Sequence, residues 1–308
     1  MRNLFASLVL LLAATPALAG TVNYSPPFGY WRMPVSQIGA ASPNIDGLAF
    51  DPATSTPADV FAALDKARAA HVHLFIQLVQ FAELKENPPG NFQLSVWQSR
   101  YNAWCPNNQC INLQPYVADG TLVGLHIFEY SKPPGYQRLT PDLSQIAQVS
   151  AYVKSLWPYA PTIIDTSKPC LFLGQPKVAD ILLYTFFTNQ LAISQRRGDG
   201  LVTHGIACAQ QAGARFMLDP NPFGGAQHGL SPGALPSFVH YAELSIRYPG
   251  SMGTAIWRWW PGDSPTKGNG FQSFANFWSE QVNPGVGAAM KEVEACAASP
   301  SNATCPHS

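Results

Sequence analysis

Charge is scarce in this chain: Asp, Glu, Lys and Arg make up only 12% of its 308 residues, against a usual share of roughly 25%. The 18 basic residues are balanced by 18 acidic ones. Without a basic excess the chain lacks the electrostatic footprint of a nucleic-acid binder, so no nucleic-acid partner is expected. After residue 19 there is no apolar run of about 18 residues, and no membrane-spanning helix is expected in the mature chain. No CxxC or HxxxH spacing marks a metal site, no GxGxxG follows an early strand, and no P-loop cradles phosphate. Neither a metal nor a cofactor is therefore expected. The stretch YPGSMG comes nearest to a nucleophile elbow, but Pro249 stands where GxSxG needs its first glycine.

What is present begins with MRNLFASLVLLLAATPALAG. A basic Arg2, an apolar core from Leu4 to Ala14 and the small-residue pattern Ala17-Leu18-Ala19 read as a secretory signal peptide over residues 1–19, cut after Ala19. The mature protein, residues 20–308, is expected to be secreted or periplasmic and to leave the membrane once cleaved. All six cysteines lie in it, an even count that favours disulfides in an exported chain. Proximity in sequence suggests Cys105 with Cys110 and Cys296 with Cys305, which leaves Cys170 for Cys208 and ties down the C-terminal tail. Aromatic residues reach 12%; with so little charge, they suit an exported protein that meets an uncharged ligand.

Apolar, β-rich runs alternate with helical patterns along the mature chain. Thr56-Pro57-Ala58-Asp59 has a capping residue, a proline suited to the first helical position and an acid at the positive end of the dipole, and Val60, Leu64 and Ala67 follow at helical spacing. Then come the run HVHLFIQLVQ, a helical region around Leu94 to Tyr116, and the strand Leu122 to Glu129. Thr140-Pro141 opens the next helix, with Leu143, Ile146, Val149, Val153 and Leu156 as its buried stripe. PTIID, DILLYTFF, a helix near Ser194 to Ala212, ARFMLDPN, a helix opened by Ser231-Pro232 and GTAIWRWWPG complete the series. With FGYWRM at the start, seven strand candidates interleave with helices. Strands apolar throughout, alternating with helices, point to an α/β fold with a parallel sheet covered on both faces. A single-domain (β/α)7–8, TIM-like barrel over residues 20–308 is the expected architecture, with a doubly wound open sheet as the alternative.

A barrel of this kind assembles its site at the C-terminal ends of its strands. Several strand candidates end in polar chemistry: Gln80 running on to Glu83, Glu129 with Tyr130, Asp165, Asp219 with Asn221, and Arg258, Trp259 and Trp260 followed by Asp263. Asp180 begins its strand and belongs to the opposite, stabilising face. Paired carboxyls are what glycoside hydrolysis requires, one to protonate the leaving oxygen and one to attack or to activate water. Glu129 and Asp219 form the first catalytic pair, with Asp165 in reserve. A carboxylate after a strand also serves as a helix cap or loop hydrogen-bonder, and Asp219 before Pro220 fits an ordinary Asp-Pro turn. Glu129 is a poor cap at the end of an apolar strand. Trp259 and Trp260 offer flat platforms for a sugar ring; Tyr130, Gln80, Asn221, His228 and Arg258 complete the expected substrate contacts.

The runs YVADGTLVGLHIFEY, LWPYAPTIID, MLDPNPFGG and GTAIWRWW are together similar in layout to secreted (β/α)-barrel glycoside-hydrolase-like proteins. The resemblance covers most of the mature chain. It departs from the Asn-Glu pair found at one strand end in many retaining barrel glycosidases, because Phe128 precedes Glu129. It implies a carbohydrate-active fold with Glu129 at the acid position. A glycosidase of neutral oligo- or polysaccharides is thus expected, with a non-catalytic glycan-binding barrel and a polymer esterase as the alternatives.

Overall fold

The computed structural model describes residues 28–31, 35–38, 45–79, 92–129, 143–175, 177–187, 195–221, 235–248, 251–256, 288, 292, 293 and 296. Its frame is a closed barrel of eight parallel strands in chain order: β1 (Phe28–Trp31), β2 (Ile45–Ala49), β3 (His73–Gln77), β4 (Leu122–Glu129), β5 (Thr162–Thr166), β6 (Ile181–Phe187), β7 (Arg215–Asn221) and β8 (Ser251–Ile256). β8 pairs with β1 to close the ring, so this sheet has no free edge. Seven of the strands follow the sequence pattern. The eighth, β2, has the sequence IDGLA: an Asp and a Gly in five residues read as a turn, and it is the ladders to β1 and β3 that hold it extended.

Helices α1 (Pro57–Ala69), α2 (Leu94–Asn102), α3 (Gln114–Ala118), α4 (Leu143–Leu156), α5 (Gln195–Gln211) and α6 (Leu235–Arg247) belong to the connections between the strands. α1 starts where its sequence says it should: Thr56 and Asp59 form a reciprocal capping box, and Val60, Ala63, Leu64 and Ala67 are buried. The helical region expected over 94–116 divides into α2, a short turn at Pro106–Asn108 and α3. The disulfide Cys105–Cys110 ties that turn, and Cys170–Cys208 links the Pro169–Phe172 turn to α5, both as the spacing suggests. Cys296 is also disulfide-bonded, while its expected mate Cys305 lies outside the described residues, as do residues 1–27. No helix among the described residues is long and apolar enough to cross a membrane.

Two apolar cores result from the alternation of strand side chains. Outside the barrel, residues such as Leu74, Leu125, Phe128, Ile164 and Leu182 pack with the helices. Inside it, Phe75, Ile163, Ile181, Leu183, Met217 and Met252 form a separate cluster. That inner cluster is the floor on which the polar residues above it rest.

Asp180 lies just before β6, at the N-terminal end of the barrel. It makes salt bridges to Lys154 at 2.5 Å and Lys177 at 3.1 Å, and accepts a hydrogen bond from the Thr162 N–H at 2.9 Å. Burial pushes its carboxyl up, but Lys154, Thr162 and Lys177 outweigh that and hold it down at about 2.

Candidate functional site

Continuing each inner-facing row toward the C-terminal end of its strand leads from apolar to polar side chains. Gln77 follows Phe75 by two residues on β3, Asp165 follows Ile163 on β5, Thr185 follows Leu183 on β6, and Asp219 follows Met217 on β7. His126 on β4 is in register with Ile163 and so shares its inner face. Gln77, His126, Asp165, Thr185 and Asp219 are each no more than 3% exposed. On β3, β5, β6 and β7 polar groups thus follow the apolar floor toward the C-terminal end, while His126 of β4 is in register with Ile163 of that floor.

Glu129 reaches this polar end through an irregularity of β4. His126 pairs with Ile163, but the next register partners are Phe128 with Ile164 and Glu129 with Asp165, so Ile127 is an extra residue on β4. Plain alternation from His126 turns Glu129 outward; the added residue reverses it and re-aims Glu129 into the barrel. Ile127 and Phe128 both join the outer core, where the Phe128 ring lies 5.5 Å from Trp97 of α2. Glu129 is only partly buried, unlike the two aspartates. The strand packs closely at Gly124, where an added Cβ would sit 2.8 Å from the Pro161 carbonyl oxygen and 3.0 Å from Ile163 Cγ1.

The structure brings two of the three sequence-predicted carboxylates together. The Thr185 hydroxyl hydrogen-bonds Asp165 Oδ1 and also lies 3.3 Å from Asp219 Oδ2. The third, Glu129, stands beside Asp165 in register. Asn221 ends β7, paired with Phe187. Gln80, Glu83, Tyr130, His228, Arg258, Trp259, Trp260 and Asp263 lie outside the described residues.

Sequence reasoning missed Thr185, His126 and Gln77. Each is a polar residue within an apolar run, and period-2 counting from the strand's apolar inner positions would have flagged Thr185 in DILLYTFF. Gln77 donates through Nε2 to the Val79 carbonyl at 2.7 Å, while its buried Oε1 has no hydrogen-bond partner among the described residues. Away from these strand ends, Cys170, His204 and Cys208 bring their ligand atoms within 4.8 Å of one another. The two sulfurs are bonded to each other, so neither is the thiolate that a metal needs.

No family model matches the sequence, and no curated protein matches it. Its fold, however, is shared with solved glycoside hydrolases. A glucosidase from Croceicoccus marinus superposes with a TM-score of 0.57 at 11% identity, over 89% of this chain and 68% of that one. An endo-1,4-β-mannanase from Rhizomucor miehei gives 0.55 at 10% identity, over 86% and 95%. The endo-β-1,4-mannanase from Thermotoga petrophila gives 0.54 at 10%, over 89% and 77%. At such identity the likeness is one of fold: this chain has the barrel of glycoside hydrolases.

Proposed function

We propose that this chain is an exported hydrolase of glycosidic bonds in a neutral oligo- or polysaccharide, working through carboxyl groups without a cofactor. The observation that carries the reading is the inward convergence of Glu129, Asp165 and Asp219 at the C-terminal end of one barrel. In this reading Glu129, the most exposed of the three, protonates the leaving oxygen, and Asp219 serves as nucleophile or as base toward water. Asp165 stands between them on β5. Trp259, Trp260 and Tyr130 supply sugar platforms, and Gln80, Asn221, His228 and Arg258 supply hydrogen bonds. The signal peptide and the disulfides support export, and intact mass of the exported protein should correspond to a start at Gly20.

The deep burial of Asp165 and Asp219, each 1% exposed, favours a second reading, in which the barrel binds glycans without cleaving them. One experiment separates the two: hydrolysis of a panel of neutral glycans, β-mannans and β-glucans included, by wild type, Glu129→Gln and Asp219→Asn, with thermal melting to confirm folding. Loss of a general acid should lower kcat by about 10²–10⁴. A folded Glu129→Gln variant with full activity removes Glu129 from the mechanism. Binding across the panel with no products from the wild type favours the non-catalytic barrel.

A further inference from the structure

We infer that Cys170, His204 and Cys208 form a redox-gated metal site, closed while the two sulfurs are bonded and able, once that bond is reduced, to hold a thiolate-binding divalent cation such as Zn²⁺. His204 and Cys208 stand four residues apart on α5 and so share one face of the helix. Cys170 meets that face from the Pro169–Phe172 turn. His204 Nε2 lies 3.8 Å from Cys208 Sγ, and the ligand atoms of all three residues lie within 4.8 Å of one another. Tetrahedral zinc, with bonds of about 2.3 Å to sulfur and about 2.0 Å to nitrogen, holds such atoms roughly 3.5–3.8 Å apart. Two thiolates and an imidazole are also the donors this cation prefers. His204 is exposed and Cys170 half-buried, so the cation can enter and a water can complete the tetrahedron.

Such a site needs a scaffold that outlasts the disulfide, and both of its sides are held by other means. α5 buries Val202, Ile206 and Ala209 in the outer core. At Gly205 it lies so close to β6 that an added Cβ would overlap the Tyr184 ring, which fixes the rotation of the helix and with it the face that carries His204 and Cys208. The opposing turn is anchored by buried Pro169 and Phe172 and closed by the Leu171 N–H, which donates to the Lys168 carbonyl at 3.1 Å. Reduction therefore frees the sulfurs without dispersing the three side chains. The step balances with a reductant of the dithiol or phosphine class: two of its electrons enter the S–S bond, which breaks as each sulfur takes up a proton. The cation then displaces both thiol protons to solvent, and neutral His204 donates its Nε2 lone pair. Re-forming the bond with a disulfide oxidant removes two ligands at once and expels the cation. None of the three residues has a role in the glycosidase reading.

The test is a Co²⁺ titration of the full chain, oxidised and phosphine-reduced, because thiolates on tetrahedral Co²⁺ give a charge-transfer band that Zn²⁺ then displaces. Reduced wild type should show the band and oxidised wild type should not. Cys170→Ser and Cys208→Ser should each remove one bound cation and its share of the band. His204→Ala should weaken binding by at least about tenfold, the loss that even a ligand's supporting partner causes. Zn²⁺ should also raise the Tm of reduced wild type, raise that of reduced His204→Ala less, and leave the oxidised chain unchanged. A band at full strength in either serine variant places the metal on other thiols and overturns the inference, as does wild-type affinity in His204→Ala or equal uptake by the oxidised chain. If the serine variants do not fold, His204→Ala, altered at an exposed position, decides the question through the Tm shift. If reduction itself unfolds the chain, Zn²⁺ should refold wild type at a lower concentration than His204→Ala, and equal concentrations overturn the inference.

Discussion

At the scale of single residues, the site depends on how closely β4 and β5 approach. Gly124 has no side chain because the Pro161 carbonyl oxygen occupies the place of one, and that oxygen also accepts the Leu125 N–H at 2.7 Å. A methyl group there meets backbone, which cannot swing aside as a flexible side chain can. Gly124→Ala should therefore push the two strands apart, costing about 1–3 kcal/mol. It should also disturb the Glu129–Asp165 register five residues further along. Denaturant melts will measure the first effect and the glycan assay the second; an alanine variant of wild-type stability would show that the strands can separate without cost.

At the scale of elements, the sequence was legible where periodicity and end signals agree. The Thr56–Asp59 cap, the stripe of α4 and the limits of β4 at Leu122 and Glu129 are where the pattern places them. β2 was not legible, since its extended form comes from neighbours distant in sequence. The carboxylates could be read as strand ends, but their orientation could not, because a bulge is set by pairing with β3 and β5 and not by the local pattern. For β4 the anchor of that bulge is Phe128 against Trp97. Phe128→Ala should destabilise the barrel by about 3–5 kcal/mol and, below its melting temperature, reduce hydrolysis by letting Ile127 and Glu129 slip back toward plain alternation. Hydrolysis unchanged in the folded variant would mean that the register holds Glu129 inward without the ring.

At the scale of the whole molecule, two carboxyls give the stability opposite pH slopes. Asp180, held down at about 2 against an ordinary 3.8, contributes about 2 kcal/mol above pH 4, lost as pH falls toward 2. Glu243 of α6 is 2% exposed, and its Oε1 has no hydrogen-bond partner among the described residues. Burial first and the Glu292 charge second push it up to about 7, against the opposing pull of Arg247. Between roughly pH 4.5 and 7 the folded chain keeps a proton there that the unfolded chain has released, so stability falls as pH rises through that window, by up to about 3 kcal/mol. These two groups together leave the barrel most stable near pH 4 to 5. Glu243→Gln, which keeps the shape and removes the charge, should raise Tm at pH 8, with the gain fading to nothing by about pH 4.5. Asp180→Asn should lower Tm at pH 7, with the loss fading toward pH 2. Calorimetric melts across this range will trace both differences, and a Glu243→Gln difference that stays flat from pH 4.5 to 8 would show that the folded chain does not hold its extra proton on Glu243.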